Sequence, residues 1–398
     1  MLTVVDTASA RIKNWKTAPP AAPPTKKLVW DSRDAVRSPE TWVSPKGDVM
    51  KDEFTISRRR LLVSLPAFVM APRALLQGRK PQIQARGINH VTLQVSDLKR
   101  SLDFYQGLFG MPVISRQGTT ELNLRVGDGT QFLGLSSARS NAPNINHICL
   151  AVENFDIDRL KSILRQHGIT EGEAPEPMRM RVRMRGPEAG GAKEGTAEFS
   201  VRDPDGLVVQ LQDARYCGGA GVLGEVCSQP EPSPKKGLIR LRDWNHTTNF
   251  VSDPERSRKF YQDLFGFRIQ AYQGPGSPVF NVGKSGQFLV WGGGGGARGG
   301  AGAAARSAGI NHFCWTMENF DPEKVIKTLE SYGIKPRGSA QGAPPPLVHY
   351  ISMRMENRGG AKEGTPELYF TDPDGLAVQL QDAKYCGGGG VLGDVCTA

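Results

Sequence analysis

Four of the six histidines stand at matched positions in a chain that repeats itself. His90 lies in INHVTLQV and His246 in WNHTTNFV, while His147 lies in INHICLAV and His312 in INHFCWTM. Each run alternates like a strand, so residues two apart face the same side. His90 then shares a face with Thr92, His147 with Cys149, His246 with Thr248 and His312 with Cys314. Imidazole is the commonest metal ligand and a general acid or base near neutrality. Such histidines would either hold a divalent metal or line a metal-free cavity as hydrogen-bonding groups. The two cysteines could add a soft ligand, although cysteine in a strand is more often simply buried. His167 and His349 have no counterparts and are expected at the surface.

The elements that must position these residues come from a duplication. Residues 87–227 and 243–396 carry the same motifs in the same order: a strand with His, an FYQxLFG helix, a second strand with His, GGAKEGT, DPDG, QLQDA and two cysteines. Each copy splits again. Ile88–Val95 alternates as a strand, and Ser96 is a candidate N-cap. Leu98, Leu102, Tyr105, Leu108 and Phe109 recur at helical spacing until Gly110 stops the helix. Short strands follow near Val113–Arg116, Leu122–Val126 and Gln131–Ser136. The second half restarts with a strand, Asn146–Val152, and a helix, Asp158–His167. Strands follow near Met180–Met184, Thr196–Val201 and Leu207–Gln212, the last two joined by the DPDG turn. In the last unit Asp321 caps a helix over Glu323–Tyr332 and Pro322 takes its first position. The organisation is strand–helix–three strands, four times over. Residues 1–86 form a leader, 87–227 the first domain, 228–240 a proline-rich linker and 241–398 the second domain. Gly292–Ala308 is a glycine-rich insert of the second copy alone.

Charge excludes one class of partner. Of 50 basic and 40 acidic residues, residues 1–86 hold 16 and 7, so the repeats carry 34 and 33 and are nearly neutral. Composition therefore offers no basic surface for nucleic acid. The excess belongs to the leader, where Ser57-Arg58-Arg59-Arg60 opens an apolar run, Leu61–Met70, closed by Ala-Pro-Arg-Ala. That order is an export signal, and the paired arginines look like the twin-arginine type, which places the protein in the periplasm or outside the cell. The run is far shorter than the roughly 20 residues of a membrane span. Cys217/Cys227 and Cys386/Cys396 recur with equal spacing across glycine-rich loops. In an exported chain they read as two disulfides closing small loops, with pairing across the domains left open.

Paired strand–helix–three-strand units, a His in each opening strand, the FYxxLFG helix and DPDG before the last strand together resemble the vicinal oxygen chelate superfamily. That superfamily includes glyoxalase I, extradiol dioxygenases, and bleomycin- and fosfomycin-resistance proteins. The resemblance covers residues 87–215 and 243–384 and implies an α+β fold, with four βαβββ units paired into two half-barrel domains. It also implies one cavity per domain holding iron, manganese or zinc on His90, His147 and Gln210, or on His246, His312 and Gln379. The glutamines stand four residues after the glycine of DPDG, where the family usually has a carboxylate, and Gln212 and Gln381 lie two residues further on the same face. A neutral amide is a poorer ligand for a hard cation than an anion is. The acidic ligand of the glyoxalase I pattern is also missing, since Gly134 and Val290 occupy that place. Glu198 and Glu367, matched residues before the DPDG turn, are candidate replacement ligands. Arg185, Lys193, Arg354 and Lys362, in or beside the GGAKEGT loops, are candidates to meet an anionic substrate.

The reading that results is an exported metal-dependent enzyme acting on a small molecule with vicinal oxygens, with ring-cleaving dioxygenase as the nearest reaction class. The rival is a metal-free ligand-sequestering protein of the bleomycin-resistance type. A third reading makes one domain active and the other structural; the near-equal lining expected of the two cavities argues against it, although recent duplication explains that likeness as well. A homo-oligomer remains open.

Overall fold

Apolar alternation in the first copy resolves into nine strands and two helices. The computed structural model describes residues 81–396 apart from 139–141, 174, 284–285, 294–307 and 340–341. The arginine-led leader and most of the glycine-rich insert lie outside the described residues.

In chain order the first domain contains β1 (Ala85–Val95), α1 (Leu98–Phe109), β2 (Val113–Gln117), β3 (Glu121–Arg125) and β4 (Phe132–Ser137). It continues with β5 (Asn144–Val152), α2 (Ile157–Gln166), β6 (Thr170–Glu171), β7 (Arg179–Arg185), β8 (Thr196–Arg202) and β9 (Val208–Asp213). They form one sheet in the order β2-β3-β4-β1-β5-β9-β8-β7-β6. The second domain repeats this with β10 (Asp243–Val251), α3 (Pro254–Phe265), β11 (Arg268–Tyr272), β12 (Pro278–Asn281) and β13 (Phe288–Gly293). Then come β14 (Gly309–Met317), α4 (Pro322–Ser331), β15 (Lys335–Pro336), β16 (Val348–Arg354), β17 (Thr365–Thr371) and β18 (Ala377–Asp382). Its sheet has the same order. The fold is α+β, two half-barrel sheets each built from two units. The second unit of each domain adds a two-residue edge strand, β6 or β15, paired parallel to the next strand.

The strands that carry histidine are central. β1 pairs antiparallel with β5, and β10 with β14, so each domain's two units meet along their histidine strands. The closing strand β9 runs parallel to β5 with Cys149 opposite Gln210, and β18 runs parallel to β14 with Cys314 opposite Gln379. Topology thus sets three separate segments side by side.

The helix caps correct one expectation. Asp97, not Ser96, caps α1 by accepting from the Arg100 N–H at 3.0 Å. Ser96 instead donates its backbone N–H to Asp374 of the second domain's DPDG turn at 3.0 Å, and its hydroxyl bonds the same carboxylate. The relation is reciprocal, since Ser252 before α3 bonds Asp205 of the first domain's turn through its backbone N–H at 2.9 Å and its hydroxyl. Tyr105 in α1 donates to Asp372 at 3.1 Å, and Tyr261 in α3 donates to Asp203 at 3.2 Å. The repeated FYQ helix and the repeated DPDG turn are therefore partners across the two domains. Phe104 and Phe109 of α1 pack on Phe370, and Phe109 also meets Trp315, so one apolar core runs through both.

Candidate active site

Each site histidine is preceded by asparagine, and the structure shows what that residue does. The Asn89 side-chain oxygen lies 2.8 Å from His90 Nδ1, and its amide nitrogen donates to the Tyr216 carbonyl at 2.8 Å. The second bond fixes which end of the amide faces the ring, so Asn89 accepts and His90 Nδ1 carries the proton. Asn245 does the same between His246 and the Tyr385 carbonyl, at 2.7 Å each. Asn146 and Asn311 stand 2.8 Å from Nδ1 of His147 and His312. His90 and His246 are thereby held as one tautomer, with the lone pair on Nε2, and the matching Asn146 and Asn311 contacts suit the same form of His147 and His312.

Those lone pairs converge. His90 Nε2 is 3.3 Å from His147 Nε2 and 3.1 Å from the Gln210 side-chain oxygen. His246 and His312 are also 3.3 Å apart through Nε2. With both Nδ1 atoms protonated, the first site brings three acceptors together with no proton between them, an arrangement that an interposed cation satisfies. Imidazole binds zinc at about 2.0–2.1 Å, so neighbouring ligands of one ion lie roughly 3.0–3.4 Å apart. The donor set fits a single divalent metal. Burial drives both histidines of the first pair down, His147 to about 4, and proximity to His147 lowers His90 further. His246 and His312 behave alike, His312 reaching about 4. The rings stay neutral and ligand-competent at neutral pH.

The remaining sequence candidates separate into distinct roles. Arg185 and Arg354 do not wait for a substrate. Both are buried, and they donate through Nε to Glu198 at 2.7 Å and to Glu367 at 2.8 Å. Their other nitrogens bond the Gly219 and Gly388 carbonyls in the loops bounded by the disulfides Cys217–Cys227 and Cys386–Cys396. The Arg185 fork ties three segments together inside the fold. Glu198 and Glu367 are consumed in the same ion pairs, and among the described residues no three His, Cys, Asp or Glu side chains form a metal-binding group. The third donor available is the glutamine amide. Lys193 and Lys362 are exposed, outside the site. Cys149 and Cys314 are fully buried, and burial pushes their thiols up. Gln212 is buried with both ends of its amide unpartnered, whereas Gln381 donates to the Pro366 carbonyl at 3.2 Å. His349 is buried, with Nε2 3.3 Å from Glu330, rather than exposed. His167 is partly buried behind α2.

The two sites are not equivalent. In the first domain a cavity of about 210 Å³ opens over His90, His147 and Gln210, with Thr92 at its wall. It is also lined by Gln94, Glu121, Ser136 and Arg183. Strand register places Phe250, Ser277, Gly292 and Ser352 at the matching positions of the second domain. Tyr369 replaces Ser200 opposite the glutamine, and its ring stands edge-on to His312 at 5.2 Å. His312 is consequently only 7% exposed, whereas His147 is half-buried. Thr248 is half-buried beside it. The shared polar lining expected from the repeats holds for the innermost residues and fails at the next layer. Sequence reasoning missed the asparagines, although Asn-His occurs at all four positions, and it missed Glu121 and Arg183, which have no repeat partner to mark them.

A family model described as the Glyoxalase/Bleomycin resistance protein/Dioxygenase superfamily matches residues 87–211 and 244–380. The chain belongs to that superfamily. Glutathione transferase FosA of Serratia marcescens is 33% identical over 162 residues, 40% of this chain and 97% of FosA. Lactoylglutathione lyase of Schizosaccharomyces pombe is 27% identical over 187 residues, 44% of this chain and 58% of the lyase. Among solved structures, the Mn(II)-bound glyoxalase of Novosphingobium aromaticivorans covers 75% of this chain and 82% of its own, at TM-score 0.50 and 16% identity. A variant of homoprotocatechuate 2,3-dioxygenase from B. fuscum covers 76% and 73%, at TM-score 0.50 and 17% identity. Both structures share the fold of this superfamily member. Among the described residues no helix is long and apolar enough to cross a membrane.

Proposed function

We propose that this superfamily member is an exported enzyme whose first domain binds one divalent metal through His90, His147 and Gln210. It acts there on a small molecule bearing vicinal oxygens. The observation that carries the reading is the tautomer lock: Asn89 and Asn245 hold the Nδ1–H of His90 and His246, each of the four rings meets an asparagine at Nδ1, and the paired Nε2 atoms face each other at 3.3 Å. A metal bound there would supply Lewis acidity to the chelated oxygens, with oxygen activation as in a ring-cleaving dioxygenase as the redox form of that chemistry. The chain's own residues supply the rest. Arg183, with a half-exposed side chain at the cavity wall, offers a cation to an anionic substituent. Gln94, Gln117 and Ser136 offer hydrogen bonds to hydroxyl or carbonyl oxygens. Export rests on the arginine-led leader, and the two disulfides are compatible with an oxidising compartment. His246, His312 and Gln379 form a second donor set behind Tyr369.

One observation favours a second reading, ligand capture without metal: no free carboxylate joins the donor set. Elemental analysis of protein purified without added metal decides between them. The proposal expects about one to two equivalents of iron, manganese or zinc, with one lost in H90A/H147A. A folded protein that holds no metal and takes up none would leave capture as the working function.

A further inference from the structure

A vicinal diol or hydroxycarbonyl that chelates a metal gives up a proton on binding, and a cavity group positioned to accept it favours that step. The groups of the metal centre cannot. His90 and His147 meet asparagine at Nδ1, and their Nε2 atoms would be taken up by a bound metal. Burial pushes the Tyr216 phenol well above its ordinary range. Glu198 is engaged by Arg185 at 2.7 Å and Arg183 at 3.6 Å. Arg183 is a permanent cation, and Cys149 lies outside the cavity lining. One lining carboxyl remains, Glu121 on β3, opposite Gln117 and Ser136 in the ladders. Among the described residues its carboxylate has no hydrogen-bond or ion-pair partner.

We propose that Glu121 is the proton acceptor for the chelated substrate hydroxyl in the first domain. This rests on the metal-centre reading above. The substrate O–H bond breaks, its proton passes to the Glu121 carboxylate, and the electron pair stays on the substrate oxygen. The surroundings suit the task. Burial, then the nearby Glu198 charge, raises the Glu121 carboxyl to about 7, with Arg183 and Arg185 opposing. A base poised near the working pH transfers protons most effectively. Tyr216 faces the same group and stays neutral. The second domain has Ser277 at this position, so the assignment also makes the first domain the reactive one.

The test compares wild type, E121Q and H147A, each loaded with zinc. The probe is 4-nitrocatechol, a small vicinal diol whose visible absorption reports its ionisation. Metal equivalents, probe affinity and bound-probe ionisation are followed from pH 5 to pH 9. Wild type and E121Q should hold equal metal, with probe bound to E121Q at least about tenfold more weakly at pH 7 or ionised about one pH unit higher. In parallel, carbon-13 NMR of labelled side chains should show a carboxyl titrating well above the ordinary glutamate range in metal-free wild type and missing from E121Q. Identical probe titrations in wild type and E121Q overturn the assignment, as does a Glu121 carboxyl that titrates in the ordinary range. Metal loss in E121Q overturns it too, by making Glu121 a ligand. Failure of wild type to take up zinc overturns the metal reading itself, a result distinct from the others.

Discussion

Replacing Asn89 with alanine should weaken metal binding in the first domain by roughly 10- to 100-fold, the usual effect of losing the partner that orients a ligating histidine. That is about 1.4–2.7 kcal/mol. The Asn89 amide makes two bonds with separate consequences. Its oxygen holds His90 Nδ1 at 2.8 Å, and without it the ring can turn or place its proton on Nε2, where the proton blocks ligation. Its nitrogen satisfies the buried Tyr216 carbonyl at 2.8 Å, and leaving that acceptor unpaired costs about 1–3 kcal/mol of stability. The assay is a zinc titration against a competing fluorescent chelator, with thermal unfolding recorded beside it. Asn89→Ala should convert one of two binding events to a weak one, and Asn245→Ala should weaken the other. A titration superimposable on wild type, in a sample where His90→Ala does lose a site, would refute the tautomer-lock argument. A large drop in melting temperature with unchanged affinity would show that Asn89 serves the Tyr216 loop alone.

Three further outcomes follow. His147 and His312 are lowered to about 4, so protons displace metal only as the pH falls toward that value. Dialysis should therefore leave metal bound at pH 5 and release it near pH 4, whereas release beginning near the ordinary histidine value of about 6.5 would contradict their burial. Arg185→Met should destabilise the fold by about 2–4 kcal/mol in urea denaturation, because it leaves the largely buried Glu198 only the more distant and half-exposed Arg183 and unpairs the Gly219 carbonyl. If Arg185 instead contacted substrate, stability would hold and only substrate affinity would fall. Tyr369→Ser should cost about 2–4 kcal/mol by opening a cavity, and should make His312 react with diethylpyrocarbonate several-fold faster. Unchanged His312 labelling in that variant would show that another group covers the second site.

The sequence alone determined the architecture and the inner donors. Strand alternation, glycine stops and a fourfold strand–helix–three-strand pattern depend on local backbone preference and apolar periodicity, which one chain displays in order. Duplication strengthened the signal, since His90 with His246, His147 with His312 and Gln210 with Gln379 recur at matched places. Tertiary structure decided what depends on neighbours distant in the chain. Arg185 and Glu198, 13 residues apart, read as a substrate cation and a spare ligand until antiparallel pairing of β7 with β8 set them against each other. The FYQ helix and the DPDG turn read as separate local signals, yet Tyr105 and Asp372, 267 residues apart, bond across the domains. The inequality of the sites was equally hidden. It arises from Glu121, Arg183 and Tyr369, positions where the copies differ, and divergent residues gain meaning only once the sheet shows that they surround the same pair of histidines.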